Sequence, residues 1–376
     1  MLSRSTGDDA TGFNTAPLRL TIDLGAIRDN WLSLKALSAP AETGAAVKSD
    51  AYGLGAAKVG AALHAAGCRT FFVATPAEGA SLRPHVGESR IFVLSGAWPG
   101  MEAYFNDHLL IPTLVSRDQL AFWQKAMPGR DHALFVDTGM NRLGLTVEEA
   151  IEVAKSGIRP VMLLSHLACA DRSSHPLNRQ QVESFESVRR HFEGVDSSLS
   201  NSAGLFLGAD YRMDLTRPGI ALYGGACRTD DVNPMRPVVR AEARLIQIRQ
   251  GRAGETVSYG ASHRLERDTL IGIASIGYGD GYLRSLSGSG IPLRDDKSAG
   301  AEAEIAGRRV RVIGRVTMDL TMFDLTPVAD LGVKTGDYLP LFGGEVSLDE
   351  TAAAGTIGYE MLTALGPRFQ RRYLGG

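Results

Sequence analysis

The chain has 376 residues, of which 44% are hydrophobic and 22% are charged, a composition that excludes a largely disordered protein. Its 40 Lys and Arg residues nearly balance 42 Asp and Glu residues. The formal net charge of −2 therefore gives no electrostatic reason to expect a nucleic-acid-binding protein. The 3 cysteines are too few and too scattered for a disulfide framework or a CxxC site, and we predict no bound metal.

Residues 1–16 lack the apolar core of a secretory signal, and we predict that they form a flexible tail. No apolar run in the sequence reaches the roughly 18 residues that a membrane-spanning helix needs. We therefore expect a soluble, cytoplasmic protein with no membrane partner.

Residues 17–235 alternate short apolar runs with amphipathic helical patterns. Near-continuous apolar runs are typical of strands that are buried on both faces of a parallel sheet. Eight such units predict an α/β fold of the (β/α)8 barrel type, although a doubly wound open sheet has the same alternation. The runs are GAAVK ending at Lys48, TFFVAT at 70–75, RIFVLS at 90–95, LLIPTLV at 109–115, HALFVDTG at 132–139, RPVMLLSH at 159–166, SSLSNS at 197–202 and MDLTRPGI at 213–220.

The pattern changes near Pro237, and residues 236–376 contain short β-rich segments separated by glycine-rich turns. This spacing predicts a separate, mainly-β C-terminal domain. One helical stretch over residues 349–373 is expected to close the chain. The basic run RFQRRY at 368–373 is interpreted as the solvated end of that helix rather than as a nucleic-acid site.

Polar side chains follow several of the apolar runs. In a parallel barrel the C-terminal ends of the strands meet at one mouth, where function is located. Basic groups predominate there and carboxylates are scarce, which suits an anionic ligand such as a phosphate. The residues at these positions are Lys48, Asp137, Arg142, His166, Asn201, Ser202, Arg217, Gly219 and Ile220.

The residues alone leave more than one interpretation of Lys48. It is either a lysine that extends past a strand end into water, or an amine that forms a Schiff base with a carbonyl such as that of pyridoxal phosphate (PLP). The GLG at 53–55 also suggests a dinucleotide-binding turn. That signal is weak, because Lys58 occupies the third glycine position and the next strand ends in Thr75 instead of an acid.

The stretch AAVKSDAYGLG at 45–55 resembles the PLP-attachment motif of the alanine racemase family. Seven further matches follow in order: VDTGMNRLG at 136–144, SHLACAD at 165–171, NSAG at 201–204, RPGIALYG at 217–224, VSYGA at 257–261, IGYGDGY at 276–282 and GRVTMDL at 314–320. The resemblance implies a PLP-dependent enzyme that interconverts L- and D-alanine and supplies D-alanine for peptidoglycan synthesis. It also implies a homodimer whose active site is shared between subunits.

The resemblance further implies the roles of the catalytic residues. Lys48 would hold PLP as a Schiff base and act as one base, while Tyr259 would be the second base and reach the cofactor of the partner subunit. His166 would hydrogen-bond that tyrosine, and Arg217 would face the pyridine nitrogen. Because an arginine does not readily give up a proton, the nitrogen stays largely unprotonated, which favours reprotonation over transamination or decarboxylation.

Structural explanations of the same residues stay open. Tyr259 could be an ordinary packed β-strand aromatic, and His166 a buried histidine satisfied by the backbone. Arg217 could form a salt bridge to Asp214.

The binding residues are likewise implied by the resemblance. The phosphate would contact Tyr52, Ser202, the amides of Gly219 and Ile220, and Tyr359. Arg142 would lie near the substrate carboxylate and the cofactor's phenolic oxygen, and the amide of Met318 would bind that carboxylate from the partner chain. Two positions depart from the family pattern. Phe135 stands where several members carry a carbamylated lysine that orients the arginine, and Ser198 stands where some have a histidine beside the pyridine-facing arginine.

Two other functions compete with this hypothesis. A PLP-dependent decarboxylase of the same architecture would use a carboxylate at the ring nitrogen and a cysteine in the β domain, but residues 237–376 contain no cysteine. A PLP carrier without catalysis would need only the barrel, and the β domain with its Tyr259 motif argues against it.

Overall fold

The computed structural model describes residues 10–290 and 299–376. The chain divides into two compact units. The barrel unit is Gly25–Arg236, and the β unit combines the described part of Met1–Leu24 with that of Pro237–Gly376. The predicted boundary after residue 235 lies one residue before the division after Arg236. The first elements of the chain are α1 (Ala10–Thr15) and β1 (Leu18–Asp23).

The barrel unit alternates short strands with helices. Its strands are β2 (Glu42–Thr43), β3 (Ala45–Ala46), β4 (Thr70–Val73), β5 (Arg90–Val93), β6 (Ile111–Leu114), β7 (Ala133–Phe135), β8 (Met162–Leu164), β9 (Asp196–Ser198) and β10 (Leu215–Thr216). Its helices are α2 (Leu24–Ser38), α3 (Lys48–Tyr52), α4 (Ala56–Ala65), α5 (Pro76–Leu82), α6 (Glu102–Asp107), α7 (Arg117–Ala126), α8 (Val147–Lys155) and α9 (Pro176–Arg189). Short 3-10 helices cover Arg83–His85, Gly204–Leu207, Ala209–Tyr211 and Ile220–Tyr223.

The parallel strands close into a barrel. Strands β3 to β9 pair in chain order, and β10 pairs with β2. Asp214 N donates to Ser197 O (3.1 Å) on one side of β10, and Gly44 N donates to Thr216 O (2.9 Å) on the other. All eight predicted runs therefore contribute strands to one closed barrel. The (β/α)8 prediction is confirmed, and the open doubly wound sheet is excluded.

The inside of the barrel is filled by side chains. Buried residues from alternate positions of the strands form one apolar cluster, as is usual for a barrel of this size. Its members are Ala46, Phe72, Phe92, Ala133, Met162, Leu164 and Leu215. This packing prevents ligand access through the centre, so polar groups can meet a ligand only beyond the strand ends.

The β unit contains one large sheet. The further strands of the unit are β11 (Val239–Gly251), β12 (Thr256–Val257), β13 (His263–Arg264), β14 (Thr269–Ala274), β15 (Glu302–Ile305), β16 (Arg308–Ile313), β17 (Thr321–Asp324), β18 (Tyr338–Phe342) and β19 (Gln370–Leu374). Strands β12 and β13 pair with each other in a separate two-stranded sheet. Its helices are α10 (Leu348–Ala353) and α11 (Gly358–Thr363), with 3-10 turns at Tyr259–Ala261, Tyr278–Asp280, Arg284–Leu286 and Thr326–Leu331. The sheet order is β15-β16-β17-β14-β11-β1-β19, with β18 also paired to β11.

The first strand was assigned to the wrong domain. Residues from 17 onward are predicted to belong to the barrel, but β1 pairs antiparallel with β11 and parallel with β19 in the β unit. Its side chains alternate between buried and half-buried. That alternation is typical of a sheet with one covered face, whereas barrel strands are buried on both faces.

The predicted helix over residues 349–373 is also wrong. The segment forms the short helices α10 and α11 and then β19, which pairs with β1. Gly355 lies between the two helices, and Gly366, whose amide donates to Asp280 O (2.9 Å), follows the second with Pro367 after it. These residues end helices readily, so most of the basic run RFQRRY belongs to a strand and not to a helix end.

The predicted tail is partly ordered. Residues 10–15 form α1, and Phe13 is buried against the β unit's first strand, where Arg19 Nε donates to Phe13 O (2.8 Å). Residues 1–9 lie outside the described residues, so the prediction for them stays a prediction. Within 10–290 and 299–376, none of the helices is both long enough and apolar enough to span a bilayer.

Candidate active site

Lys48 lies two residues after β3 and begins α3, whose following residues form a left-handed turn and not a right-handed helix. Residues 49–52 all have φ between 53° and 55°, and Gly53 follows at 81°. A left-handed conformation costs an L-residue about 1–2 kcal/mol, so four in a row persist only where the surrounding structure holds them. The turn keeps the lysine at the barrel mouth and brings Tyr52 to the same edge.

Two carboxylates hold this turn. Asp50 Oδ1 accepts from the amide of Ala56 (2.8 Å) at the start of α4. Glu78 Oε1 accepts from the amide of Ser49 (2.9 Å). The turn is thereby tied both to the helix that follows it and to the loop of the next β–α unit.

The Lys48 amine is half-buried among charged groups. Burial lowers its pKa, the positive charge of Arg142 lowers it further, the carboxylate of Glu78 raises it, and Arg217 lowers it. The balance is a lysine whose neutral, nucleophilic form is more accessible than that of a solvated lysine. A lysine that simply extends into water would not have this environment.

Arg217 is buried and fully engaged by oxygen acceptors. Its Nη1 donates to Ser198 Oγ (2.5 Å) and its Nη2 to Ser165 O (2.5 Å). Burial lowers the pKa of Arg217 to about 9, so the guanidinium keeps its charge at neutral pH. Asp214 instead accepts from Ser197, so the proposed Arg217–Asp214 salt bridge is wrong. Ser198, one of the two departures from the family pattern, is thus a direct partner of Arg217.

His166 is neutral in this environment. Burial lowers its pKa to about 3, with further lowering by the charges of Arg217, Arg142 and Lys48. Arg217 Nη2 lies 3.4 Å from His166 Nδ1, and an arginine can only donate. The neutral ring therefore carries its proton on Nε2, where it can be donated to an acceptor other than the arginine.

Ser202 organises a set of hydrogen-bond donors at the same mouth. Its Oγ accepts from the amides of Gly219 (2.8 Å) and Ala221 (3.3 Å), which occupies both lone pairs and leaves its O–H as a donor. A Cβ on Gly219 would lie 2.3 Å from Tyr52 Oη, so only glycine fits beside that hydroxyl. Burial raises the pKa of Tyr52 to about 12, so it too is a donor. With the amide of Ile220, which opens the adjacent turn, these groups suit a phosphate.

Arg142 is positioned through its backbone. Asp137 accepts from the amides of residues 139–142 at 2.9–3.1 Å, and these bonds outweigh the opposing effect of burial and lower the pKa of its carboxyl. Asp137 therefore holds the loop and not the guanidinium. Phe135 packs against the apolar cluster inside the barrel. Because its side chain is uncharged, it cannot orient the Arg142 guanidinium as a carbamylated lysine would.

Tyr259 is exposed in the β unit. It opens a 3-10 turn between Ser258 (φ 70°) and Gly260 (φ 72°), and 72% of its surface is accessible. Ser258 Oγ anchors the turn by donating to Arg315 O (3.0 Å). The alternative of an ordinary packed aromatic is therefore wrong for this chain.

Met318 and Tyr359 are the other predicted site residues in the β unit. They are 56% and 37% exposed, respectively. Met318 O accepts from the amide of Gly279 (2.9 Å), which fixes its loop. Tyr359 lies in the first turn of α11.

Eight of the eleven predicted site residues belong to the barrel unit and three to the β unit. In the barrel unit, Lys48, Arg142, His166 and Arg217 lie within electrostatic reach of one another. The remaining four form the donor set around Ser202.

No role was predicted for Glu78 from the sequence. The pattern TPAE at 75–78 indicates the helix cap that it forms, but no local signal shows its contact with Ser49.

The closed (β/α)8 barrel has at its mouth a lysine with a lowered pKa, a buried arginine and a set of hydrogen-bond donors around Ser202. These features define a barrel enzyme for an anionic cofactor or substrate. The comparisons with known proteins narrow this class. Family models for the N-terminal and C-terminal domains of alanine racemase match residues 22–227 and 238–373.

Whole proteins match over nearly the full chain. The biosynthetic alanine racemase of Agrobacterium fabrum is 57% identical over 98% of this chain and 96% of its own length. The alanine racemase of Rhizobium meliloti is 51% identical over 97% of this chain and 98% of its own length. The crystal structure of alanine racemase from Bartonella henselae with covalently bound pyridoxal phosphate is 35% identical, with a TM-score of 0.86 over 96% of this chain and 100% of that one.

The chain belongs to the alanine racemase family. The resemblance inferred from its motifs is confirmed, and the protein is a racemase in fold and in family.

Proposed function

We propose that the protein interconverts L- and D-alanine with PLP bound at Lys48, and that it supplies D-alanine for peptidoglycan synthesis. The observation that carries the proposal is the placement of Lys48, with its lowered pKa, at the same barrel mouth as the donor set around Ser202. The covalently bound pyridoxal phosphate of the Bartonella henselae relative and the biosynthetic role named for the Agrobacterium fabrum relative support it.

The residues present fit the cofactor. The hydroxyls of Tyr52 and Ser202 and the amide of Ile220 would hold the phosphate, with Tyr359 as a further ligand. The amide of Gly219, which donates to Ser202 Oγ, would share its hydrogen with the phosphate. When bound, PLP withdraws electrons from the amino acid and makes its α-proton acidic. Arg142 and, from the partner subunit, the amide of Met318 would bind the substrate carboxylate, and a guanidinium suits that anion.

Arg217 favours racemisation over other PLP reactions. Its guanidinium keeps its proton at neutral pH and has no acceptor atom, so a ring nitrogen that faces it receives no proton from it. Ser198 and Ser165 fix the guanidinium in place. This arrangement limits charge delocalisation and favours return of a proton to the same carbon.

Two bases on opposite faces would move the proton. Lys48 Nζ would take or return the α-proton on one face, and the Tyr259 hydroxyl of a partner subunit would do so on the other. His166 would donate its Nε2 proton to the tyrosine oxygen, and the adjacent charge of Arg217 would stabilise the ionised tyrosine. Neither base then has to cross the plane of the substrate.

The partner subunit is proposed from the surface of the β unit. Tyr259 and Met318 are exposed in the single chain. A groove of about 470 Å³ that Tyr259 helps to line contains apolar side chains such as Leu320 and Met322 together with polar ones such as Gln247. A partly apolar groove beside an exposed tyrosine suits coverage by a second copy of the chain. We propose a homodimer.

We also propose that the reaction takes place in the cytoplasm. The 3 cysteines are too few and too scattered for a disulfide framework, as is usual for proteins of a reducing compartment.

The test combines an activity assay with chemical trapping. Purified protein incubated with L-alanine, with and without added PLP, should form D-alanine that chiral chromatography detects. Borohydride reduction followed by peptide mapping should place the pyridoxyl label on Lys48. A label on another residue, or carbon dioxide release from basic amino acids without racemisation, would reject the proposal in favour of a different reaction.

A further inference from the structure

We propose that Glu78 is a positioning residue for Lys48: its carboxylate holds the left-handed turn that follows the lysine. The inference rests on the proposed function of Lys48, but it concerns a residue on a different β–α unit. It assigns to this side chain a role beyond that of a helix cap.

The carboxylate of Glu78 joins two neighbouring loops of the barrel. Oε2 accepts from the amides of Ala74 (2.7 Å) and Thr75 (3.4 Å), which follow β4. Oε1 accepts from the amide of Ser49 (2.9 Å), the first residue of the left-handed turn. One rigid side chain therefore fixes the backbone immediately after Lys48 relative to the end of the next strand.

In the part of the chain that the structure describes, the other glutamates in capping boxes do not bridge loops in this way. Glu149 is the matched case, because it occupies the same position in a Thr-x-x-Glu capping box at the start of α8. Its carboxylate accepts from the amide of its own cap, Thr146 (2.9 Å), and lies 3.5 Å from Arg117. Glu78 differs in placing one oxygen on the amide beside the reactive lysine.

The negative charge of Glu78 raises the pKa of Lys48, whereas the other groups around the amine lower it. The groups that act on the Lys48 amine are the cations Arg142 and Arg217, which lower its pKa together with burial, and Glu78, which raises it. His166 and Tyr52 face the same mouth but are uncharged at neutral pH. Removal of the carboxylate leaves the amine among positive charges.

The first experiment measures the turn itself. Hydrogen–deuterium exchange on the full-length protein, in the wild type and in Glu78→Ala, should show roughly tenfold faster exchange in peptides that cover residues 47–55. Peptides from the β unit should not change. The control Glu149→Ala should leave residues 47–55 protected. Unchanged exchange of that segment in Glu78→Ala would overturn the positioning role.

The second experiment measures the charge contribution. Glu78→Gln removes the charge and keeps one of the two acceptor oxygens. Hydroxylamine first removes bound carbonyl compounds, and acetylation of Lys48 is then followed by peptide mapping; the pH midpoint of acetylation should move to lower pH. Glu149→Gln should not move it. An unchanged midpoint in Glu78→Gln would reject the charge contribution.

Activity then links the inference to the proposed reaction. If the wild type racemises alanine, Glu78→Ala should lose roughly ten- to hundredfold in kcat with PLP still bound, because a displaced base is a poor base. If the wild type does not racemise alanine, the proposed function fails, while the exchange and labelling results still decide the role of Glu78. Full kcat in Glu78→Ala would overturn the inference alone.

Discussion

The barrel mouth and the Tyr259 face of the β unit carry two very different halves of the proposed site. In the barrel, Arg217 is 6% exposed and Ser202 is 3% exposed, and both are engaged by neighbouring groups. In the β unit, Tyr259 is 72% exposed and Met318 is 56% exposed. The first half is preorganised within the chain, whereas the second is presented on a surface.

This difference predicts different consequences of substitution. A change in the barrel mouth removes interactions that the folded chain already makes, so it should affect stability and cofactor affinity. A change at Tyr259 removes a group with few contacts in the chain, so it should affect turnover alone. The following substitutions test this contrast, from the largest expected effect to the smallest.

Lys48→Ala should abolish both racemisation and covalent attachment of PLP. Loss of the residue that both binds the cofactor and moves a proton should lower kcat by more than about 10⁴-fold. Absorbance spectroscopy and a chiral assay measure the two effects. Lys155→Ala, at the end of α8, is the control and should behave as the wild type. Racemisation at the wild-type rate in Lys48→Ala would exclude the lysine as a base.

Tyr259→Phe should lower kcat by about 10²–10⁴-fold, the usual contribution of one general acid or base. Because the ring is exposed, the melting temperature and the PLP absorbance should stay unchanged. A fall in melting temperature together with full activity would instead make Tyr259 a packing residue.

Mixing Tyr259→Phe with Lys48→Ala tests whether the two halves come from different subunits. Random exchange gives mixed dimers in half of the molecules, each with one of two sites intact, so about a quarter of wild-type activity should return. Activity that stays at the level of the separate variants would reject the shared site.

His166 should make the protein less stable in acid. In the unfolded chain the His166 side chain binds a proton below pH 6.5, its ordinary pKa, whereas in the folded chain its pKa is about 3. The free energy of unfolding therefore falls as the pH decreases from about 6.5 towards 3. At pH 5 the loss should be about 2 kcal/mol. Urea unfolding at pH 7.5 and 5.0 should show a smaller pH effect in His166→Gln than in the wild type. His191→Gln, at an exposed histidine, is the control. An equal loss of stability between pH 7.5 and 5.0 in all three proteins would contradict the lowered pKa of His166.

Gly219→Ala should weaken PLP binding by roughly tenfold and destabilise the barrel unit by about 1–3 kcal/mol, because the new Cβ displaces Tyr52. Calorimetric titration with PLP and thermal unfolding measure the two effects. The double variant Gly219→Ala/Tyr52→Phe should recover stability but not affinity, since the hydroxyl that meets the phosphate is gone. Recovery of affinity would show that Tyr52 does not bind the phosphate.

Local patterns predicted most of the barrel and failed at specific places. The apolar runs correspond to strands because a parallel strand is buried on both faces, a property visible in each run alone. The alternation in β1 indicates a strand with one covered face, but six residues do not show which distant strand pairs with it. The predicted C-terminal helix runs across Gly366 and Pro367, which end helices readily, and the pairing of β19 with β1 is visible only in the structure.

In the candidate site, too, local sequence patterns predicted residue positions but not the contacts between distant segments. Residue types and their order along the chain identified Lys48, His166 and Arg217, because strand ends converge in a parallel barrel. The contacts of Glu78 with Ser49 and of Ser198 with Arg217 join different β–α units, so no local pattern could show them. The left-handed turn at residues 49–52 also contradicts local preference, since three of its four residues rarely adopt that conformation.

The sequence by itself determined the number of barrel units and the family, and it predicted the reactive groups, because these depend on periodicity and on residue chemistry. Only the tertiary structure decided the protonation of His166, the partners of Arg217 and the conformation that holds Lys48. Those properties arise from burial and from hydrogen bonds between segments far apart in the chain, and such contacts exist only once the barrel has closed.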